Sequence, residues 1–132
     1  MLVDSVRALD VELAAGLVDR GATELTPSQA RALLLVDRTG TRLTELSQRA
    51  GVTKQAMMQM VDDLQEMGCL RRRPDPEDAR AKMVRLTARG LRQRAMARKA
   101  VQTVETRVRR QLGPRRYSAL RTALEDLTTG EE

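Results

Sequence analysis

Apolar residues recur at every third or fourth position through long parts of this chain, which is the spacing of an amphipathic helix. The first such run covers residues 4–20, and Gly21 follows it where a helix stop belongs. The second begins at Thr26-Pro27-Ser28-Gln29, in which Thr is the N-cap, Pro takes the first helical position and Gln completes a capping box. The pattern predicts that this helix continues to about Thr39-Gly40.

The middle of the chain predicts two short helices joined by a tight turn. A short extended segment at residues 41–43 precedes a helix that Thr44 is expected to cap, and Thr53 is expected to cap the next helix, residues 53–67. Gly51 lies between the two helices and suits the positive backbone angle that such a turn demands.

The pattern then changes to that of a β-hairpin, with strands over residues 69–73 and 83–86 on either side of a charged turn. Thr87 is expected to cap a long helix that runs to Leu112, and Gly113-Pro114 separates it from a last helix. These elements predict a mainly α fold with a small β-hairpin.

The net charge of +6 is concentrated in the middle of the chain, since residues 41–112 hold 17 basic and 8 acidic side chains. A basic block between near-neutral ends suits a module that binds phosphates, and an ordinary solvated surface is the alternative. Three helices followed by a hairpin in a chain this basic are the pattern of a winged helix-turn-helix DNA-binding domain.

Missing residue types limit the chemistry. The chain has no histidine, so a Ser/His/Asp or Cys/His nucleophile is impossible and the commonest zinc ligand is lacking. The carboxylates of Asp62-Asp63 and of the hairpin tip have no organising motif, so we expect no enzyme activity, no metal and no cofactor. A single cysteine, Cys69, fits a cytoplasmic location, and no stretch approaches the ~20 apolar residues that span a bilayer.

The helix over residues 53–67 has an apolar and a polar face. Its apolar stripe, expected to pack on the domain, comprises Thr53, Ala56, Met57, Met60, Val61 and Leu64. The residues predicted to bind DNA in the major groove are Thr53, Lys54, Gln55, Met58 and Gln59. Gln can pair with adenine at two points, Lys can reach guanine or phosphate, and Met58 offers contact to a thymine methyl group. The alternative is an ordinary solvated first turn.

The hairpin tip supplies a second set of predicted DNA contacts, which are Arg73, Arg80 and Lys82. Arg80 lies between two alanines, so its guanidinium can extend into a narrow A·T-rich minor groove. The acidic residues Asp75, Glu77 and Asp78 are expected to pair with Arg72, Arg73 or Arg80 and to hold the loop. Because alternate side chains of a strand point to opposite faces, at least one of Arg71, Arg72 and Arg73 is expected to form a structural ion pair.

From about Thr26 to Gly90 the chain resembles the MarR-type (multiple antibiotic resistance regulator) transcriptional regulators, a family of dimeric winged helix-turn-helix proteins. The segments that carry the resemblance are Leu25–Ala30, Arg42–Leu46, Gly51–Met57, Val61–Leu64, Pro74–Lys82 and Val84–Thr87. The resemblance implies that the helix over 53–67 reads the major groove and that Arg80 enters the minor groove. Members often have two adjacent Arg where this chain has Ala79-Arg80, which leaves Lys82 to replace the missing contact.

The resemblance also implies a single domain over residues 1–132, with the winged helix-turn-helix at 26–90 and helical dimerisation regions at 1–22 and 95–130. The apolar residues expected to form the dimer are Val6, Leu9, Leu13, Leu17, Val104, Val108, Leu112, Tyr117, Leu120, Leu124 and Leu127. A twofold dimer would hold its recognition helices about one DNA turn apart, ~34–36 Å. The alternative is that these helices pack within a monomer.

Many members of the family bind small aromatic acids between the dimer helices and the DNA-binding part, and some sense oxidants through a cysteine. This chain has no His, Trp or Phe to build an aromatic pocket. A small-molecule effector is therefore of unknown identity, and the choice lies between an aliphatic molecule and none. Cys69 stands where a strand expects an apolar residue, which favours a buried inert thiol over a sensor.

The sequence thus predicts a sequence-specific regulator of transcription that binds double-stranded DNA, as a homodimeric repressor on a pseudo-palindromic operator. Two alternatives come from other classes. One is a nucleoid-type architectural protein that coats DNA without sequence preference, and the other is a winged-helix adaptor whose basic hairpin meets an acidic protein partner.

Overall fold

The computed structural model describes residues 1–78 and 80–129, which contain six helices and a three-stranded antiparallel sheet. The elements in chain order are α1 (Leu2–Asp19), α2 (Pro27–Leu35), β1 (Thr41–Arg42), α3 (Leu43–Ala50), α4 (Lys54–Glu66), β2 (Leu70–Pro74), β3 (Lys82–Leu86), α5 (Ala88–Leu112) and α6 (Pro114–Thr128). The fold class predicted from the sequence is confirmed. The hairpin tip over residues 74–82 is called the wing. Its residue Ala79 lies outside the described residues, as does Gly130, the last residue of the predicted helical region.

Three helix starts follow the predicted capping signals. The backbone N–H of Gln29 donates to the Thr26 hydroxyl at 3.2 Å, and the N–H of Thr26 donates to the Gln29 side-chain oxygen at 3.1 Å, which closes the capping box. The hydroxyls of Thr53 and Thr87 each accept from the N–H three residues on, at 3.0 Å. Gly51 ends α3 with φ of 67°, as the tight turn required.

Two predicted helix boundaries are wrong, and both lie beside β1. Helix α2 ends before Val36 rather than near residues 39–40, because Val36 turns to an extended backbone and buries its side chain in the core. Helix α3 begins at Leu43 rather than after Thr44, because Arg42 serves as its N-cap while it is still paired in β1. The short extended segment is therefore a third strand beside the predicted hairpin.

The sheet has the strand order β1-β3-β2. Strands β2 and β3 pair over their full length, from Leu70 opposite Leu86 to Pro74 opposite Lys82. Strand β1 pairs with the middle of β3, where Thr41 lies opposite Val84. Strand β1 thus supports the hairpin along the middle of its β3 edge, and the tip of the hairpin extends beyond β1.

The core is built almost entirely from Leu, Val, Ala and Met. Helix α5 packs against both α1 and α2, and Gly16 in α1 lies close to Ala100 in α5. Leu13 and Leu17 are buried in this core within a single chain. The expectation that these two residues face a second copy is therefore wrong, because that side of α1 is already covered by its own chain.

Helix α5 is attached to the rest of the chain where it begins. The N–H of Thr87 donates to the Cys69 carbonyl at 3.1 Å, and the Thr87 hydroxyl donates to the Gly68 carbonyl. Gly90 packs so closely on the Cys69 backbone that a Cβ atom there would overlap the carbonyl oxygen. Cys69 itself is fully buried, and burial raises the pKa of its thiol. This environment supports the inert thiol over the oxidant sensor.

We expect Gly90→Ala to lower the free energy of unfolding by ~1–3 kcal/mol, because the added methyl group must displace the Cys69 backbone. Urea unfolding followed by circular dichroism measures the change. The matched control is Gly16→Ala, also within a helix, where the methyl group would meet Ala100 at the ordinary distance of 3.5 Å. That control should gain about 0.5–1 kcal/mol from helix propensity. Wild-type stability in Gly90→Ala would contradict the close contact.

Candidate nucleic-acid interface

The first turns of α4 are presented to solvent. The predicted major-groove residues are all exposed, and they are Thr53, Lys54, Gln55, Met58 and Gln59. The Gln59 amide nitrogen donates to an Asp63 carboxylate oxygen at 3.1 Å, so it is already engaged within the helix. Lys54 and Gln55 make no side-chain hydrogen bond or ion pair with any residue that the structure describes. These two side chains are therefore the ones that α4 offers to a ligand.

The buried side of α4 is narrower than the predicted stripe. Met57, Val61 and Leu64 are fully buried, whereas Met60 is half-buried and Ala56 is exposed. Thr53 is exposed as well, with its hydroxyl used in the helix cap. The prediction was wrong at the N-terminal end because the first turn of α4 protrudes from the body instead of packing on it.

The wing is held by hydrogen bonds across its own tip. The N–H of Asp75 donates to the Ala81 carbonyl at 3.0 Å, and the N–H of Ala81 donates to the Asp78 carbonyl at 3.0 Å. The Asp78 carboxylate accepts from the backbone N–H of Arg80 at 3.0 Å. The side chains of Arg73, Arg80 and Lys82 are all exposed. The acidic residues of the tip therefore shape the backbone and leave the Arg80 guanidinium in solvent.

The main ion pair of the wing is made with an arginine that the sequence did not single out. The Asp75 carboxylate is buried, and it accepts from Arg42 Nε at 2.7 Å and from the Glu77 N–H at 2.9 Å. The Glu77 N–H and the Arg42 guanidinium hold the pKa of the Asp75 carboxyl below its usual range. The expectation that the acidic residues pair with Arg72, Arg73 or Arg80 is wrong. Arg42 lies closer because β1 brings it beside the hairpin.

Arg72 links the hairpin to α4. Its guanidinium pairs with the Asp62 carboxylate at 2.6 Å and donates to the Gln65 side chain at 3.1 Å and to the Met58 carbonyl at 3.3 Å. This is the structural ion pair expected within the run of three arginines. Arg71 and Arg73 are both exposed, as the alternation of side chains along β2 requires.

The helical ends leave many apolar side chains uncovered. Helix α6 has no buried residue among those described, and Leu120, Leu124 and Leu127 are 41%, 44% and 71% exposed. The other predicted dimer residues Val108, Leu112 and Tyr117 are half-buried, with the Arg109 guanidinium over the Tyr117 ring. An apolar face of this length is typical of a helix that packs on another helix.

A cavity of about 720 Å³ lies where the end helices meet the helix-turn-helix. The predicted dimer residues Val6, Leu9 and Val104 line it, together with Leu13, which is buried beneath its floor. Its other apolar walls come from α2, α3, the tight turn and α4, through Leu34, Leu35, Ala50, Val52 and Met60. At the rim, Arg31 pairs with Asp10 at 2.6 Å. No motif in the sequence predicts the cavity, because its apolar lining residues come from several different helices.

The described residues contain neither a membrane-spanning helix nor a cluster of metal ligands. None of their helices combines the length and the apolar character needed to cross a membrane. They also contain no group of three His, Cys, Asp or Glu side chains arranged to hold a metal ion.

Comparison with known proteins agrees with this architecture. A family model described as the MarR family matches residues 23–81. The transcriptional repressor CouR bound to a 23-mer DNA duplex is similar, with 28% identity over 96% of this chain and 88% of that one and a TM-score of 0.83. CouR from Rhodococcus jostii RHA1 bound to p-coumaroyl-CoA has 22% identity, covers 99% and 91% of the two chains, and has a TM-score of 0.85. A search of curated proteins finds no match.

The fold and the exposed elements define a winged helix-turn-helix protein. The family match and the solved structures confirm the resemblance of the chain to the MarR family of transcriptional regulators.

The Asp75 ion pair predicts a pH dependence. Because the pKa of Asp75 is lowered in the folded protein, its contribution to stability is complete above the ordinary carboxyl pKa of 3.8 and is lost as the pH falls through the lowered value. At neutral pH we expect Asp75→Asn to lower the unfolding midpoint and to speed hydrogen exchange of the hairpin amides. In strong acid both quantities should lie closer to those of the wild type. Hydrogen exchange of the hairpin amides and unfolding midpoints at several pH values measure this.

Glu77→Gln is the matched control for this experiment. Glu77 is exposed and lies 4.0 Å from Arg42, so its substitution should change neither quantity appreciably. Identical behaviour of the two variants at neutral pH would show that the Asp75 pair does not brace the wing.

Proposed function

We propose that this protein is a homodimeric transcriptional regulator that binds double-stranded DNA in a sequence-specific way and represses from a pseudo-palindromic operator. The observation that carries the proposal is the contact of Arg72 in the hairpin with α4, through an ion pair with Asp62 and a hydrogen bond to the Met58 carbonyl. This contact fixes the relative position of two exposed elements, the first turn of α4 and the wing tip at Arg80. A duplex can meet both at once only if their spacing is held.

The two elements have different roles in the proposal. Gln55 reads adenine in the major groove and Lys54 contacts guanine or phosphate, with Met58 beside them. Arg80 enters the minor groove, and Arg73 and Lys82 contact the phosphates that flank it. Support comes from the basic middle of the chain and from the similarity to CouR, which has been solved as a repressor on a DNA duplex.

The dimer follows from the exposed apolar faces. The helical regions 1–22 and 95–130 would pack on a second copy and cover Leu120, Leu124 and Leu127, at about 25 cal/mol for each Å² of apolar surface buried. Such a twofold dimer repeats α4 and the wing on adjacent turns of one duplex, which is why we propose an inverted-repeat operator.

We expect Arg80→Ala to weaken operator binding at least about tenfold, because it removes the side chain proposed to enter the minor groove. Gln55→Ala should cost ~1–3 kcal/mol of base discrimination and leave non-specific binding nearly unchanged. The operator is first identified by selecting genomic fragments that the purified protein binds. Affinities are then measured by fluorescence anisotropy on operator and scrambled duplexes.

The matched control is Arg98→Ala, which removes the same charge from an exposed position on α5, away from both elements. Its operator affinity should stay close to wild type. Equal affinity for operator and scrambled duplexes would favour the architectural alternative. Absence of DNA binding at physiological salt would favour the adaptor, and unchanged affinity in Arg80→Ala would refute the role of the wing.

The apolar cavity is proposed as the effector site of this regulator. It touches α1 and α5 on one side and the helix-turn-helix on the other, so a molecule that fills it can shift one part against the other. Its walls are mostly apolar and carry no aromatic ring, and the polar side chains that line it are Asp10, Ser28, Arg31, Arg49 and Glu105 among the described residues. The apolar walls suit an acyl group. CouR, solved with p-coumaroyl-CoA, supports this class of ligand.

We expect an acyl-CoA thioester, with p-coumaroyl-CoA as the first probe, to raise the melting temperature and to release operator DNA. Val104→Trp should weaken this ligand at least about tenfold, because the indole would occupy the cavity from α5. Leu91→Trp, at an exposed position of the same helix outside both the cavity and the proposed dimer regions, is the control. Undiminished ligand binding by Val104→Trp would remove the cavity from the proposal, and inertness of every thioester tried would remove the ligand class.

A further inference from the structure

A second groove lies on the surface between the end of α1 and the second half of α5, and its lining is strongly basic. Its volume is about 430 Å³. The cationic side chains that line it are Arg20, Lys99, Arg107 and Arg110. Its remaining walls are hydroxyl and amide groups, including Thr103 and Thr106, and no carboxylate lines it among the described residues.

The basic side chains of the groove are only partly compensated. Arg107 pairs with Glu12 at 2.8 Å, just outside the lining. Arg20, Lys99 and Arg110 have no acidic partner in the described part of the chain. Like charges gathered in one groove repel one another, and long side chains on an open surface would separate. An anion in the groove would remove this repulsion.

The position of Arg20 is fixed by the protein itself. Its guanidinium donates to the Thr103 hydroxyl at 2.7 Å and to the Gly16 carbonyl at 3.3 Å. This holds a charge from α1 against the row of basic side chains on α5 and leaves other N–H groups of the guanidinium for a ligand. A guanidinium has five donors in a planar fork that matches phosphate oxygens. The Thr103 hydroxyl already donates to the Lys99 carbonyl at 3.0 Å, and the Thr106 hydroxyl can add a donor to an anion.

The groove is separate from the proposed DNA interface. At about 1.5 Å per residue, Lys99 and Arg110 lie roughly 16 and 33 Å along α5 from its start at the sheet. The groove also lies apart from the apolar cavity, since none of its lining residues is shared with the cavity. Its chemistry therefore needs a ligand of its own.

We propose that this groove is a binding site for a phosphate-bearing anion, which bridges Arg20 of α1 to Lys99 and Arg110 of α5. The anion couples two helices that also border the apolar cavity, and it stabilises the end helices when bound. The ligand class is defined by the clustered guanidinium, ammonium and hydroxyl donors, which favour a compact multivalent oxyanion over a monovalent carboxylate.

The test uses the purified full chain and inorganic pyrophosphate, titrated by calorimetry at constant ionic strength in chloride. The proposal expects saturable binding of one pyrophosphate per chain. The double variant Lys99→Gln/Arg110→Gln should weaken it at least about tenfold, which corresponds to two lost charge-assisted contacts. The matched control Arg92→Gln/Arg98→Gln removes the same charge from exposed positions of the same helix outside the groove, and should bind as wild type does.

Non-saturable heats, or equal weakening in both double variants, would overturn the site in favour of general charge attraction. If the double variant is found unfolded by circular dichroism, Lys99→Gln alone carries the same expectation with a smaller loss. A salt titration of DNA binding then separates two sources of phosphate. An unchanged slope for the Lys99→Gln/Arg110→Gln variant assigns the site to a free anion, whereas a slope smaller by about two would assign it to DNA backbone phosphates and overturn a site separate from the DNA interface.

Discussion

The structure depends on one close contact, between the start of α5 and the turn that precedes β2. Thr87 donates to the carbonyls of Gly68 and Cys69, and Gly90 packs on the Cys69 backbone with no room for a side chain. The hairpin leaves this point in one direction and the 25-residue helix in the other. Because the contact leaves no free space, a change in the angle of α5 would also move the start of β2. The junction therefore couples the long helix to the hairpin.

Arginine is the commonest basic residue of this chain. Its side chains fall into two groups, those that pair with a carboxylate and those that do not. Arg42 and Arg72 are held by Asp75 and Asp62, and they fix the wing to β1 and to α4. Arg80 has its backbone held by Asp78 while its side chain stays in solvent. The arginines that pair with carboxylates hold the hairpin in place on its neighbours, and the unpaired arginines give the candidate interface its positive potential. Counting charges along the chain cannot make this distinction, because a pair requires both partners at the same place.

The apolar cavity and the basic groove are both lined by residues of α5 and by residues of α1 or its end, and they differ completely in chemistry. One is apolar and touches the helix-turn-helix through Ala50 and Met60, and the other is basic and joins Arg20 to α5. Leu13 and Leu17 bury α1 in the core, so a molecule in the cavity or in the groove contacts the same pair of packed segments. In the proposed regulator, this arrangement allows two ligands to influence one DNA-binding surface through the packing of α1 against α5.

By itself, the sequence determined the helices, the tight turn and the wing, because caps, Gly51 and the apolar spacing act within a few residues of one another. It also located the exposed first turn of α4 and Arg80. Only the tertiary structure decided that β1 completes the sheet and that Arg42 is the partner of Asp75. It also decided that Leu13 and Leu17 belong to the core, and that the chain forms an apolar cavity and a basic groove. The Arg42–Asp75 and Arg20–Thr103 hydrogen bonds join residues 33 and 83 positions apart, and no local pattern in a chain records which distant segments its folding will bring into contact.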